Sequence, residues 1–313
     1  MNRTRVGIHT RRGAYVALIV LTLIWGSNWI VMKEALASAS PVVFNVERTW
    51  IAILVLFGAL VARRRPLLPE DWRAVVVAGF FQTTINFGAT TMALAGGGVG
   101  RTAVLVFTMP FWTLLIAWLV LHERVRGWQW LAIASAFAGL AFVVEPWRWH
   151  GDLAPRLWAV LSGFGWAAGS VATKYYQKQR KLDTHNFIAW QMLLGVLPLT
   201  LLPLGFDFPA TQWSVTQAAL LIYVGAVSTA CGFLLWIAVL RFLPAGTASL
   251  NMFAIPVIAL GSSALVYGER LSPIEWIGIA LIGAGLVIVT LVALKGGRRD
   301  DTPLGGAAPL EGG

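Results

Sequence analysis

"GRTAVLVFTMPFWTLLIAWLVLHERVRGWQWLAIASAFAGLAFVV" runs from Gly100 to Val144, and the chain says nearly the same thing again further on. "GTASLNMFAIPVIALGSSALVYGERLSPIEWIGIALIGAGLVIV" begins at Gly246. At a constant offset of 146 positions, Gly100 meets Gly246, Phe107 meets Phe253 and Pro110 meets Pro256. Glu123 then meets Glu269, Arg124 meets Arg270, Trp130 meets Trp276 and Gly139 meets Gly285. A register held without a gap through two apolar segments and the charged turn between them is an internal repeat, not shared hydrophobicity. The same offset continues upstream, where Gly79, Thr83 and Phe87 answer Gly225, Thr229 and Phe233. Still earlier, Trp25 and Lys33 answer Trp166 and Lys174 at an offset of 141.

Around this repeat the chain is apolar almost throughout. Of its 313 residues 58% are hydrophobic and only 12% charged, where a soluble domain carries roughly 25% charged residues. Apolar runs of spanning length recur, which predicts an all-α integral membrane protein. Breaks at Gly, Pro and charged residues divide it into ten candidate spans: 13–35, 41–62, 71–94, 99–121, 127–145, 155–177, 184–204, 214–240, 245–267 and 273–295. Arg3, Arg5, Arg11 and Arg12 resemble the charged start of a signal peptide. No small-residue cleavage site follows, so the first span is expected to be retained. The formal charge of +10 is explained by basic loops rather than by nucleic acid, which is not an expected partner. With the N-terminus inside, 18 of the 24 Lys and Arg residues fall on the cytoplasmic side, placing both termini there. Residues 1–12 then form a cytoplasmic segment, 13–145 and 155–295 two five-helix halves, and 296–313 a disordered tail.

Five is an odd number, so the second half enters the membrane from the opposite side. Inverted repeats of this kind allow two near-equivalent packings, one open to each face, and are a device of secondary transporters.

These features resemble the ten-helix EamA-type branch of the drug/metabolite transporter superfamily. The resemblance is carried by "IWGSNWIVMK" (Ile24 to Lys33) and by the doubled Pro…Glu-Arg…Trp…Gly string, and it covers nearly all of residues 15–295. The first copy has His122 where the family usually has Gly, while the second keeps Gly268. The resemblance implies export or exchange of small metabolites across a bacterial inner membrane, and within the branch it is similar to aromatic amino acid exporters. It also implies a central path lined by the first, third, fourth, sixth, eighth and ninth helices.

On those helices, polar groups are costly in lipid and face the interior. Asn28, Gln82, Asn86 and Asn251 are therefore candidate substrate-binding amides, with interhelical hydrogen bonding as the alternative role. Gln82 and Asn86, four apart, share a face. Eight of the sixteen tryptophans lie near predicted helix ends and read as interfacial anchors. Trp25 and Trp166, deeper and repeat-related, are candidates to flank an apolar or planar substrate. Pro110 and Pro256 interrupt matching helices and point to a kink or gate. Glu123 and Glu269 are expected to tie the repeat loops. Gly163, Gly165 and Gly169 in "GFGWAAG" read as close helix packing, and "AGGGVGR" at 95–101 as a short flexible turn rather than a phosphate loop.

No Asp or Glu sits at mid-depth, so tight proton coupling is not expected. Glu47 is the nearest candidate, but an interfacial pairing with Arg48 or Lys33 is preferred. Neither a buried carboxylate for cationic drugs nor a buried Lys or Arg for phosphorylated cargo is evident, with Lys33, Arg101 and Lys174 left as residues able to reach inward. The four histidines lack metal spacing, Cys231 is the lone cysteine, and no nucleophile–base–acid set occurs. The chain is thus expected to be no enzyme and to use no metal or cofactor, with lipid and a small-molecule substrate, an amino acid or similar metabolite, as its partners. Rival readings are a drug, sugar or nucleotide-sugar transporter and, further off, a membrane scaffold or enzyme.

Overall fold

The computed structural model describes residues 10–123, 125, 127–145, 147, 153–180, 182–240 and 254–300. The described residues are helical, without strands. In order they are α1 (Arg11–Ala35), α2 (Pro41–Ala62), α3 (Trp72–Gly79), α4 (Asn86–Gly96), α5 (Val99–Val106), α6 (Met109–Leu121) and α7 (Trp128–Val144). There follow α8 (Leu153–Gln179), α9 (Thr184–Gly205), α10 (Val215–Ile222), α11 (Gly232–Leu240), α12 (Ala254–Tyr267) and α13 (Pro273–Asp300). The last helix passes the boundary expected at 295, so residues 296–300 are helical rather than part of a disordered tail.

Helix starts are written locally. Ser40 accepts from Val43 N ahead of Pro41, Asp71 from Arg73 N and Ala74 N, and Asp183 from His185 N and Asn186 N. Each side chain satisfies amides that the first turn leaves without partners. Six helical stretches are long and apolar enough to cross a membrane, among them Pro41–Ala62, Val99–Leu121 and Val215–Val239, with Trp128–Val144 and Ala254–Tyr267 as shorter apolar helices. Leu54, Leu204, Val215 and Leu265 lie 72–89% exposed. Exposed apolar surface on that scale is what lipid covers.

The repeat leaves local traces in the backbone. A π-helical segment, Phe80–Ile85, joins α3 to α4, and another, Tyr223–Cys231, joins α10 to α11. The offset of 146 carries the first into the second, and π-helix is rare enough to make the coincidence informative. His122 and Gly268, repeat mates, both adopt the left-handed conformation, with φ of 54° and 62°. After them Glu123 N bonds Ala117 O at 3.2 Å and Glu269 N bonds Ser263 O at 3.4 Å. Both ends thus close with the same six-residue backbone bond of a left-handed helix stop.

Between α7 and α13 the repeat touches itself. A Cβ on Gly139 would overlap the Gly278 carbonyl, and one on Gly285 would meet the Ala132 carbonyl. Ser135 Oγ donates to Leu281 O at 2.8 Å. The offset maps 132, 135 and 139 onto 278, 281 and 285, so these contacts exchange with one another as in a two-fold interface. They also cross, early residue against late, so the two helices run antiparallel. Glycine is required here because backbones in lipid gain most from close approach.

Candidate binding cavity

At the centre lies a cavity of about 140 Å³. By the same measure a single water occupies roughly 10–15 Å³, and a cavity of roughly 150 Å³ accommodates benzene. All but one of its lining residues come from α1, α4, α5, α6, α8, α11, α12, the second π segment and the α5–α6 break; the exception is Arg48 on α2.

The aromatic wall is built by residues from both halves. Trp25 and Trp166 both line the cavity and both pack on Phe233, at centroid distances of 6.1 and 6.0 Å. The two tryptophans therefore converge on one ring from α11. Trp25 is held in place by Nε1 donating to Ser228 O at 2.9 Å and by Trp236 at 6.3 Å. Phe233 was legible only as a repeat mate of Phe87, which also lines the cavity.

The candidate amides divide. Asn28 lines the cavity, and its Oδ1 is buried without a hydrogen-bond partner among the described residues. Asn86 lines it too, but its Nδ2 is engaged by Ser162 O at 2.9 Å and Ser162 Oγ at 2.8 Å. Gln82 is not in the wall; its Nε2 donates to Ser170 Oγ at 2.9 Å. Gln82 and Asn86 do share a face, and it is the face packed on α8. Asn251 lies outside the described residues. Asn28 has no amide mate because its repeat position is Gly169, where a Cβ would overlap Gln82.

Pro110 is near the start of α6, just after the helix breaks at Phe107 and Thr108. Phe107 and Met109 around that break line the cavity. Pro256 is buried near the start of α12. Glu123 accepts from Lys174 Nζ at 2.8 Å and Lys178 Nζ at 3.0 Å. Glu269 accepts from Gly100 N at 2.9 Å, Arg101 N at 3.3 Å and Ser263 Oγ. The glycine turn at 95–101 is a fitted bed rather than a flexible turn, since a Cβ on Gly98 would run into the Glu269 carboxylate. Gly163 and Gly165 face the Val106 and Phe81 carbonyls in the same way.

Two expectations are overturned. The preferred pairing of Glu47 with Arg48 or Lys33 does not form. Glu47 accepts from Thr211 Oγ1 at 2.8 and 3.0 Å, and Lys33 Nζ donates to backbone carbonyls, Gly97 O at 3.0 Å among them. Successive residues on a helix point about 100° apart, so Glu47 faces the loop before α10 while Arg48 faces inward. A buried basic residue is present after all, because Arg48 is only 4% exposed and lines the cavity. Its Nε donates to Asn45 Oδ1 at 2.8 Å, its Nη1 meets Met32 Sδ at 3.7 Å, and its charge sits 4.2 Å over the Phe87 ring. Nothing in the sequence separated Arg48 from an interfacial arginine, since position along α2 does not fix which neighbour covers it. Among the described residues no group of His, Cys, Asp and Glu could hold a metal ion.

A profile of the EamA-like transporter family matches residues 12–145 and again 154–291. The chain is 26% identical to the uncharacterized transporter YoaV of Bacillus subtilis over 281 residues, covering 88% of this chain and 96% of that protein. It is 27% identical to a probable amino-acid metabolite efflux pump of Salmonella typhimurium over 293 residues, 89% of this chain and 95% of that protein. An Escherichia coli protein described in the same words is 26% identical over 294 residues, with 89% and 95% coverage. One solved crystal structure superposes with a TM-score of 0.62 at 19% identity, over 94% of this chain and all of that one, and shows the fold alone.

Proposed function

The chain belongs to the EamA-like transporter family, and from that premise we propose that it exports or exchanges amino acids, aromatic ones included, by alternating access. It is a multi-pass membrane protein, and the family and relatives point to transport of small metabolites rather than to catalysis. The proposal places ten spans in a bacterial inner membrane as two inverted halves, with both termini in the cytoplasm. The antiparallel, self-exchanging contact of α7 and α13 supports that inversion.

The observation that carries the cargo is the cavity wall. Trp25, Phe233 and Trp166 form a continuous aromatic surface, and Asn28 Oδ1 stands free beside it. An apolar side chain would lie on the rings and a polar head would reach the amide. The volume suits a single-ring metabolite and disfavours a nucleotide sugar. Among the described residues no carboxylate lines the cavity, so we expect exchange or facilitated movement without tight proton coupling.

Counterflow in proteoliposomes tests the reading. Preloaded L-phenylalanine or L-leucine should drive saturable uptake of its labelled counterpart, and Trp25→Ala should cut the rate at least about ten-fold with the protein still folded. Absence of saturable exchange for aromatic and branched amino acids would overturn the cargo. Uphill accumulation driven by an imposed pH gradient would overturn the uncoupled mechanism.

A further inference from the structure

Arg48 is the one ionised side chain in the described cavity wall. A guanidinium taken out of water loses several kcal/mol of hydration and is normally compensated by a carboxylate. None is found here: among the described residues Arg48 has no acidic partner, and its contacts are a neutral amide, a thioether and an aromatic face. The stretch 241–253, which precedes cavity-lining α12, contains no Asp or Glu. Nη2 has no described partner, so part of a donor fork shaped for carboxylate remains open.

A second unmatched group stands close by. Asn28 and Met32 are one helical turn apart on the same face of α1, and Met32 Sδ touches Arg48 Nη1. Met32 thus links the α1 face that carries the orphaned acceptor of Asn28 to the open donors of Arg48, and all three residues line the cavity beside the aromatic wall. One positive charge calls for one negative charge. A phosphoryl dianion would leave an excess charge in a cavity whose described wall offers no second cation.

We propose that Arg48 binds the carboxylate of the cargo, with Asn28 Oδ1 accepting from an adjacent ammonium group. The site then recognises a monocarboxylate with an apolar substituent, and an α-amino acid satisfies both groups. This rests on the transport reading above but names a residue and a charge that it leaves open. Asn45 and the Phe87 ring keep the guanidinium tolerable in the cavity wall, and the carboxylate of the cargo completes its coordination.

The test is binding to purified full-length protein in detergent, by calorimetry and thermal shift. The probes are L-phenylalanine, 3-phenylpropionate, which lacks the ammonium, and phenethylamine, which lacks the carboxylate. Phenylalanine should bind best, phenylpropionate more weakly, and phenethylamine worst by on the order of 10- to 100-fold. Arg48→Met should erase the preference for the two acids, and Arg48→Lys should restore part of it. Should Arg48→Met fail to fold, the three-probe series on unchanged protein still decides. Equal or tighter binding of phenethylamine overturns the Arg48 assignment and leaves amino acid transport standing. Binding of phenylpropionate that depends on Arg48, with no binding or counterflow of any amino acid, removes the amino acid reading and upholds the carboxylate anchor.

Discussion

His122 holds a left-handed backbone conformation, φ 54°, at a position whose repeat mate is glycine with φ 62°. A side chain there costs about 1–2 kcal/mol, partly offset because glycine loses more freedom on folding. His122→Gly should therefore stabilise the protein by about 0.5–1 kcal/mol, read as a higher melting temperature in detergent. An unchanged or lower value would mean that the imidazole makes a compensating contact. The residue scale is also where sequence reading stopped short. Trp25 and Trp166 were found through the repeat and do face the cavity, because a shared symmetric position is information about burial. Gln82 looked equivalent to Asn28 but is engaged by Ser170 on α8. Arg48 escaped because its covering groups come from α1 and α4, distant in sequence.

At the scale of elements, packing of α7 on α13 depends on backbone approach at single glycines. Gly139→Ala would drive a methyl into the Gly278 carbonyl and should destabilise by about 1–3 kcal/mol. Gly283, on the same α13 with open space around its Cβ position, supplies the control, and Gly283→Ala should be neutral or slightly stabilising. Equal melting temperatures for both variants would exclude the tight crossing. The helices themselves were legible from apolar length, capping residues and Pro or Gly breaks. The π segments were not, because Phe80–Ile85 and Tyr223–Cys231 carry no residue type that requires the wider turn. The second nevertheless shapes the cavity wall, since Ser228 O, which holds Trp25, sits within it.

At the scale of the whole molecule, repeat mates behave differently at the two ends. Glu123 meets Lys174 and Lys178 across an exposed gap, whereas Glu269 lies on the Gly100 and Arg101 amides and Lys33 bonds backbone carbonyls. Two ends built from equivalent residues yet tied differently fit one state of the alternating-access cycle proposed above. The hydrogen bond from Lys174, joined by Lys178, holds the Glu123 carboxyl below its ordinary value of 4.5. A depressed carboxylate pKa means that the tie contributes above the ordinary value and is lost as pH falls through the lowered one. Glu123→Gln should therefore change thermal stability by a constant amount above pH 4.5, with the difference vanishing in more acidic solution. A difference that varied between neutral and mildly alkaline pH would point to another titrating group.

The sequence by itself determined the membrane class, the doubled architecture, the family and the aromatic pair, since each is written in composition, period or register along the chain. Only the tertiary structure decided which polar groups face the cavity and which bridge helices. That choice depends on the rotation of each helix about its axis, which is set by packing against neighbours far away in sequence. Gly169 and Gln82 settle it on one side, and Arg48, Met32 and Phe87 on the other.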